Sequence, residues 1–133
     1  MWLFYAFVSA FFAALVAIFG KLGLKSIDPT LATTIRGIIM AVFLFVLSFL
    51  IGKFNGFTLS ALSSRDWMLI TLSGVAGALS WLFYFVALKD GPASAVASID
   101  RRSIVFIVVL AALFLGESFG WKVALGAALV VAG

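Results

Sequence analysis

The feature that most constrains this chain is a series of long apolar runs, each close to the length needed to cross a bilayer. A membrane-spanning helix needs about 20 mostly apolar residues. Five candidate spans approach or exceed that length: 2–20, 30–51, 66–88, 93–115 and 119–133. The runs are continuously apolar rather than alternating, which favours helices over barrel strands. The sequence therefore predicts an all-α integral membrane protein, with five transmembrane helices in one domain, residues 1–133.

Composition excludes several other classes of protein. Hydrophobic residues make up 65% of the 133 residues and charged residues 11%, too few polar groups to coat a water-facing globule. Cysteine and histidine are both absent, which excludes disulfides, thiol catalysis and imidazole acid–base chemistry. The sequence also lacks a phosphate-binding loop and a metal-ligand cluster. We therefore expect neither an enzyme nor a nucleic-acid binder, and no cofactor or metal.

The fifth candidate span is shorter than the others. Its 15 residues, 119–133, extend only about 22 Å as a helix, against a hydrocarbon core of about 30 Å. Two explanations stay open: local thinning of the bilayer, or a span that continues beyond Gly133.

Basic residues are distributed almost evenly between the two sides of the predicted bundle, which are here called side A, where the N-terminus lies, and side B. They are Lys53, Arg65 and Lys122 on side A, and Lys21, Lys25, Lys89 and the shallow Arg36 on side B. Only if Arg101 and Arg102 are added does side B clearly prevail. Because Lys and Arg in short loops set orientation, this weak bias predicts insertion in both directions. With an odd number of spans, two copies then stand in an inverted relation; the alternative is one dominant orientation.

Three of the four tryptophans lie near side A. Trp2, Trp67 and Trp121 are typical of an interfacial aromatic belt. Trp81 differs, because it lies about 10 Å inside the membrane from side B.

Two ionisable residues lie at similar depth within predicted spans. Arg36 and Asp100 both fall roughly 9–12 Å in from side B, so an ion pair between them is geometrically possible. Charged groups at this depth usually face a cavity or a partner. The pair is either a gate or substrate site, or a fixed packing bridge, with Arg36 reaching back to the headgroups as a further alternative.

The run Asp100-Arg101-Arg102 is unusual inside an apolar segment. Three successive helical residues spread over about 200° and cannot share one face. Either Arg102 meets another subunit or water, or the helix is irregular there, beside a cavity. The alternative is a helix that starts closer to Asp100, with arginines that reach the headgroups.

The third span carries a stripe at helical spacing: Gly74, Gly77, Ala78, Trp81, Tyr84 and Phe85. The aromatic rings suit a pocket for an apolar, aromatic or cationic substrate; ordinary helix packing through the small residues is the alternative. The candidate substrate pathway therefore comprises Arg36, Trp81, Tyr84, Asp100 and Arg101. Asp100, the sole acidic residue deep in a predicted span, is the candidate coupling group.

Four segments stand out in order along the chain: FGKLGL at 19–24, Pro29 followed by Arg36, WLFYFVAL at 81–88 followed by GPAS at 91–94, and LFLGE at 113–117 with Trp121 and Gly126 after it. Taken together, they resemble the EamA-type family of the drug/metabolite transporter superfamily. Each piece is weak alone; their order and spacing make the set specific. It covers nearly the whole chain.

The resemblance implies a secondary transporter in the cell membrane. Members commonly contain two five-helix repeats of opposite orientation, and this chain resembles one repeat. It thus implies an antiparallel homodimer of ten helices that exports or exchanges small metabolites, amino acids or drugs. Two departures stand out: Ser98 where relatives often have proline, and Arg102 where an apolar residue is expected. Residues 12–15 also lack the glutamate of the smaller four-helix relatives.

A different class of function is also compatible with the sequence. The chain could be a non-transporting membrane subunit, or a component of a lipid-carrier flippase, that pairs with another small membrane protein. That alternative predicts a stable heteromer without autonomous transport.

Overall fold

The computed structural model describes residues 1–118 and 120–133, and the regular elements within these ranges are all helices. In chain order they are α1 (Trp2–Gly23), α2 (Pro29–Leu50), a short 3-10 helix (Leu59–Ala61), α3 (Ser64–Asp90), α4 (Ala93–Asp100), α5 (Ser103–Phe114) and α6 (Trp121–Ala132). The all-α prediction is confirmed.

Three of these helices are long and apolar enough to cross a membrane. They are α1 and α2, with 22 residues each, and α3, with 27. At 1.5 Å per residue they extend about 33 Å and 40 Å, which exceeds a hydrocarbon core of about 30 Å. These three helices of membrane-spanning length correspond to the first three predicted spans, and α3 runs two residues further at each end than predicted.

The fourth predicted span, 93–115, is two helices rather than one. Between α4 and α5, Arg101 and Arg102 form a tight turn, in which the amide of Arg102 donates to Ile99 and that of Ile104 to Arg101, in the i→i−3 pattern. Just before this turn, the Ser98 hydroxyl donates to the Ser94 carbonyl at 2.8 Å, an arrangement that often bends helices. The chain therefore interrupts this helix without a proline.

The fifth predicted span corresponds to α6, which has 12 residues. Phe119, where that span was expected to begin, lies outside the described residues. Among the described residues three helices reach membrane-spanning length, so the predicted count of five spans is not confirmed.

The helices α2 and α3 begin at side-chain caps. Asp28 accepts hydrogen bonds from the amides of Thr30 (2.9 Å) and Leu31 (3.2 Å) at the start of α2. Ser63 and Asp66 form a reciprocal capping box at α3: the Ser63 amide donates to the Asp66 carboxylate at 3.0 Å, and the Asp66 amide to the Ser63 hydroxyl at 3.2 Å. These bonds satisfy amides that a helix leaves unpaired at its first turn.

The chain divides into two compact units. Unit 1 comprises residues 1–18 and 90–133, and unit 2 comprises residues 19–89. In unit 1, α5 contacts α6, and Ala17 and Ala127 are buried. Unit 2 is built on α2 and α3, with Leu24, Phe85 and Leu88 as its buried core.

Candidate functional site

Arg36 is held inside α2 by aromatic rings of α3. It is the eighth residue of that helix and its only charged one, about 10 Å along the axis from the first residue. The guanidinium carbon lies 3.8 Å from the centre of the Trp81 ring and 5.4 Å from that of Phe85. A cation over a ring face is stabilised by about 0.5–2 kcal/mol. This contact keeps the side chain, which is half-buried, beside the ring.

The acidic groups of unit 2 are engaged elsewhere. Asp28 and Asp66, the two carboxylates of residues 19–89, form the caps of α2 and α3. Among the described residues of unit 2, the Arg36 guanidinium contacts rings and makes no hydrogen bond or ion pair. Its N–H donors therefore remain available, within this unit, for a ligand.

The rings beneath Arg36 form one cluster. Trp81 meets Tyr84 with ring centres 5.3 Å apart and Phe85 with centres 5.9 Å apart, both edge to face. Tyr84 and Phe85 lie 6.3 Å apart. Edge-to-face pairs of this kind are favourable beyond their burial, so the predicted aromatic stripe is a packed platform.

The base of this platform depends on Gly20. Phe85 is 3% exposed and Leu88 fully buried. A Cβ on Gly20 would lie 3.2 Å from Phe85 Cε1 and 3.2 Å from Leu88 Cδ2, closer than side chains usually pack. The next residue, Lys21, donates from Nζ to the carbonyls of Leu88 (2.7 Å) and Lys89 (3.0 Å), where a helix end attracts cations.

Sequence reasoning did not find these roles of Gly20 and Lys21. The signal was present, because both lie in the FGKLGL segment quoted above. However, the sequence of that segment does not indicate that it contacts the end of α3.

A groove of about 330 Å³ lies between α2 and α3 and is called here the α2–α3 groove. Arg36, Trp81, Thr33 and Met40 contribute larger side chains to its lining, and the other lining residues are small: Gly37, Gly74, Gly77 and Ala78. A Cβ added to any of these three glycines would meet nothing within 4 Å. Within unit 2 the small residues thus open a space, rather than bring two helices into close contact.

A second cavity, of about 370 Å³, shares Thr33, Gly37 and Ala78 with this groove. Its remaining lining is mostly apolar. Of these two cavities, only the α2–α3 groove is lined by a charged side chain, that of Arg36.

The predicted site residues fall in both units. Arg36, Trp81 and Tyr84 come together in unit 2 as described. Asp100, the last residue of α4, and Arg101, which follows it, are exposed and belong to unit 1. The expected Arg36–Asp100 ion pair and the coupling role of Asp100 stay predictions.

The long apolar helices, with their exposed hydrophobic side chains, identify an integral membrane protein. The chain belongs to the EamA-like transporter family, which matches it over residues 1–133. It is also similar to a Sinorhizobium protein described as "Uncharacterized transporter in cobO 3'region", with 39% identity over 132 residues that cover 99% of this chain and 92% of the relative. The two proteins are therefore of nearly equal size. No solved structure gives a significant match.

Proposed function

We propose that this chain is one half of a secondary transporter that works as an antiparallel homodimer. Family membership supports the transporter role. The observation that carries the proposal is a charged residue, Arg36, held at membrane depth on Trp81 beside the α2–α3 groove. Ionisable residues inside membrane spans typically mark solute or ion pathways.

The exposed surface of the single chain supports association with a second one. Among the described residues, five hydrophobic side chains are buried, whereas large apolar ones along every long helix are exposed. Lipid covers some of that surface. Helices of a transporter also pack against one another around a central site, so we propose that a second copy covers the rest.

An inverted pair fits the charge distribution. The basic residues favour neither side strongly, and two oppositely oriented copies rebuild the inverted repeats on which alternating access depends. We propose that the homodimer lies in the inner or plasma membrane and exports or exchanges small metabolites, amino acids or drugs.

Arg36, Trp81 and Tyr84 are the proposed substrate contacts, with Arg101 on the same pathway. Asp100 is the proposed coupling group, because a carboxylate that takes up and releases a proton links transport to an ion gradient.

Solute counterflow in proteoliposomes tests this function. Vesicles preloaded with a candidate solute should accumulate the labelled solute only when they contain the protein. Asp100→Asn should uncouple accumulation from a pH gradient but retain exchange, and Trp81→Ala should reduce both. Wild-type accumulation by both variants would contradict the site assignment.

Crosslinking in mild detergent tests the assembly. The homodimer predicts a product of twice the chain mass from purified protein. A product that forms only with a second, different small membrane protein would favour the alternative, a non-transporting subunit.

A further inference from the structure

We propose that the α2–α3 groove binds the carboxylate of a small solute with an apolar body, and that Arg36 is the group that holds this anion. The assignment names a substrate class for the proposed transporter and rests on that function for its role in transport. Binding itself can be measured separately.

The contact between Arg36 and Trp81 leaves the guanidinium donors available. The guanidinium carbon lies over the Trp81 ring, 3.8 Å from its centre, and within the described part of unit 2 the group makes no hydrogen bond or ion pair. A cation is attracted to a ring face by its charge, and the N–H donors of the planar guanidinium fork can still bind another group. The same planar fork matches the two oxygens of a carboxylate.

The rest of the groove favours an apolar body on the solute. Its other lining includes Gly37, Gly77, Ala78 and Met40. The Thr33 hydroxyl donates its proton to the Pro29 carbonyl at 2.8 Å and thus has none to offer a ligand. At about 330 Å³, the groove lies at the small end of the range for ligand sites, about 300–1,000 Å³.

The sign of the charge follows from the same contact. Sequence reasoning allowed a cationic substrate because ring faces attract cations. The structure places Arg36 over the Trp81 ring, so a second cation at that face would meet a like charge at short range. An anion is attracted instead.

An anionic lipid headgroup shares this chemistry with a soluble carboxylate. The structure favours the solute, because the Arg36 guanidinium contacts the rings of Trp81 and Phe85. Arg36 lies about two turns inside the start of α2, and a side chain that contacts these rings is not extended along the helix toward the headgroups. The experiment distinguishes the two sources.

Equilibrium dialysis of the purified full chain against labelled 3-phenylpropanoate tests the proposal. The isosteric, neutral 3-phenylpropanamide and the cationic 3-phenylpropylamine, which keeps the phenyl group and the chain length, serve as comparisons. We expect the carboxylate to bind at least about 10-fold more tightly than the amide, since charge-assisted bonds are roughly twice as strong as neutral ones. Equal binding of the acid and the amide by wild-type protein would overturn the proposal without any variant.

Arg36 is tested by substitution. Arg36→Gln should abolish the preference for the acid, and Arg36→Lys, which keeps the charge but loses the planar fork, should retain part of it. Arg65→Gln is the matched control, because Arg65 is exposed near the start of α3. Helical circular dichroism and a monodisperse elution profile establish that each variant folds. An unchanged preference in Arg36→Gln would overturn the assignment.

Vesicle composition separates a solute from a lipid. Phosphatidylcholine vesicles with and without phosphatidylglycerol are compared, and the account predicts the same affinity for 3-phenylpropanoate in both. If phosphatidylglycerol competes with 3-phenylpropanoate in wild-type protein but not in Arg36→Gln, the site binds a lipid headgroup, which would contradict the assignment to a soluble carboxylate.

Failure of this inference and failure of the proposed function are distinguishable. If the acid binds in an Arg36-dependent way but no tested solute shows counterflow, the proposed carboxylate site stands and the proposed transporter function is contradicted. If other solutes show counterflow but the protein does not prefer the acid, the transporter function stands and the carboxylate site is contradicted.

Discussion

The guanidinium carbon of Arg36 lies 3.8 Å from the ring centre of Trp81, across α2 and α3. This contact joins the sole charge of α2 to the aromatic platform of α3. It places a cation about two turns inside a helix of membrane-spanning length, beside an open groove. Our functional proposals depend on this relationship.

The contribution of the ring can be measured directly. Replacing Trp81 by leucine removes the face on which Arg36 rests, and we expect affinity for 3-phenylpropanoate to fall about 10-fold, since a desolvated cation–π contact contributes about 1–2 kcal/mol. Trp81→Phe keeps a smaller ring and should give an intermediate value. Trp67→Phe, at the exposed start of α3, should leave affinity unchanged. Wild-type affinity in Trp81→Leu would show that the ring does not position Arg36 for binding.

The groove can be narrowed at Gly77, where an added Cβ meets nothing within 4 Å. Gly77→Ala should therefore elute and melt like wild-type protein, and the larger Gly77→Val is compared with both for elution and melting. The new side chain occupies the groove beside Arg36, and we expect probe binding to be reduced by at least about 10-fold. Gly120→Val, which also adds a Cβ in open space but lies in unit 1, is the control. Full binding by Gly77→Val would contradict our location for the solute.

The packing beneath the platform makes a prediction about stability. Gly20→Ala forces a Cβ to within 3.2 Å of Phe85 and Leu88, and overpacking of this kind costs about 1–3 kcal/mol. Gly23→Ala places its Cβ in open space and should be neutral or slightly stabilising, by up to about 1 kcal/mol, because alanine favours helix. Thermal unfolding in detergent should therefore rank Gly20→Ala below Gly23→Ala. The reverse order would mean that the side chains of Phe85 and Leu88 shift to accommodate the added Cβ without loss of stability.

Much of the helical framework could be predicted from the sequence. The first three spans follow from apolar length, which a bilayer fixes within a few residues. The start of α2 follows from Asp28 and Pro29, which suit a cap and a first helical turn. Apolar spans and helix caps depend on residues that are close together in the sequence, so the sequence predicts them directly.

The site was predictable only in part. Spacing along α3 placed Trp81 and Tyr84 on one face, and the apolar surroundings singled out Arg36. The stacking of Arg36 on Trp81 depends on how α2 meets α3, which spacing within either helix does not specify. The same holds for Gly37 and Gly77, since a small residue suits both a close contact and an open groove.

The α4–α5 interruption shows a further limit. The sequence flagged Asp100-Arg101-Arg102 as difficult to fit on one helix and left several explanations open. Backbone bonds of the i→i−3 type at Arg102 and Ile104 show that the helix is irregular there. Competition between i→i−3 and i→i−4 bonds is too finely balanced for composition to decide.

The measurement that tests the inverted homodimer most directly is the sidedness of two loops in intact cells. The chain has no cysteine, so single reporters are clean. Ser60→Cys lies between α2 and α3, and Ser26→Cys between α1 and α2; both serines are exposed.

Each variant is treated to saturation with a membrane-impermeant thiol reagent, before and after permeabilisation. Our account predicts partial labelling of both positions in intact cells, completed on permeabilisation, because each loop faces outward in only some of the copies. Complete labelling of one position and none of the other would mean a single orientation and would contradict the antiparallel homodimer.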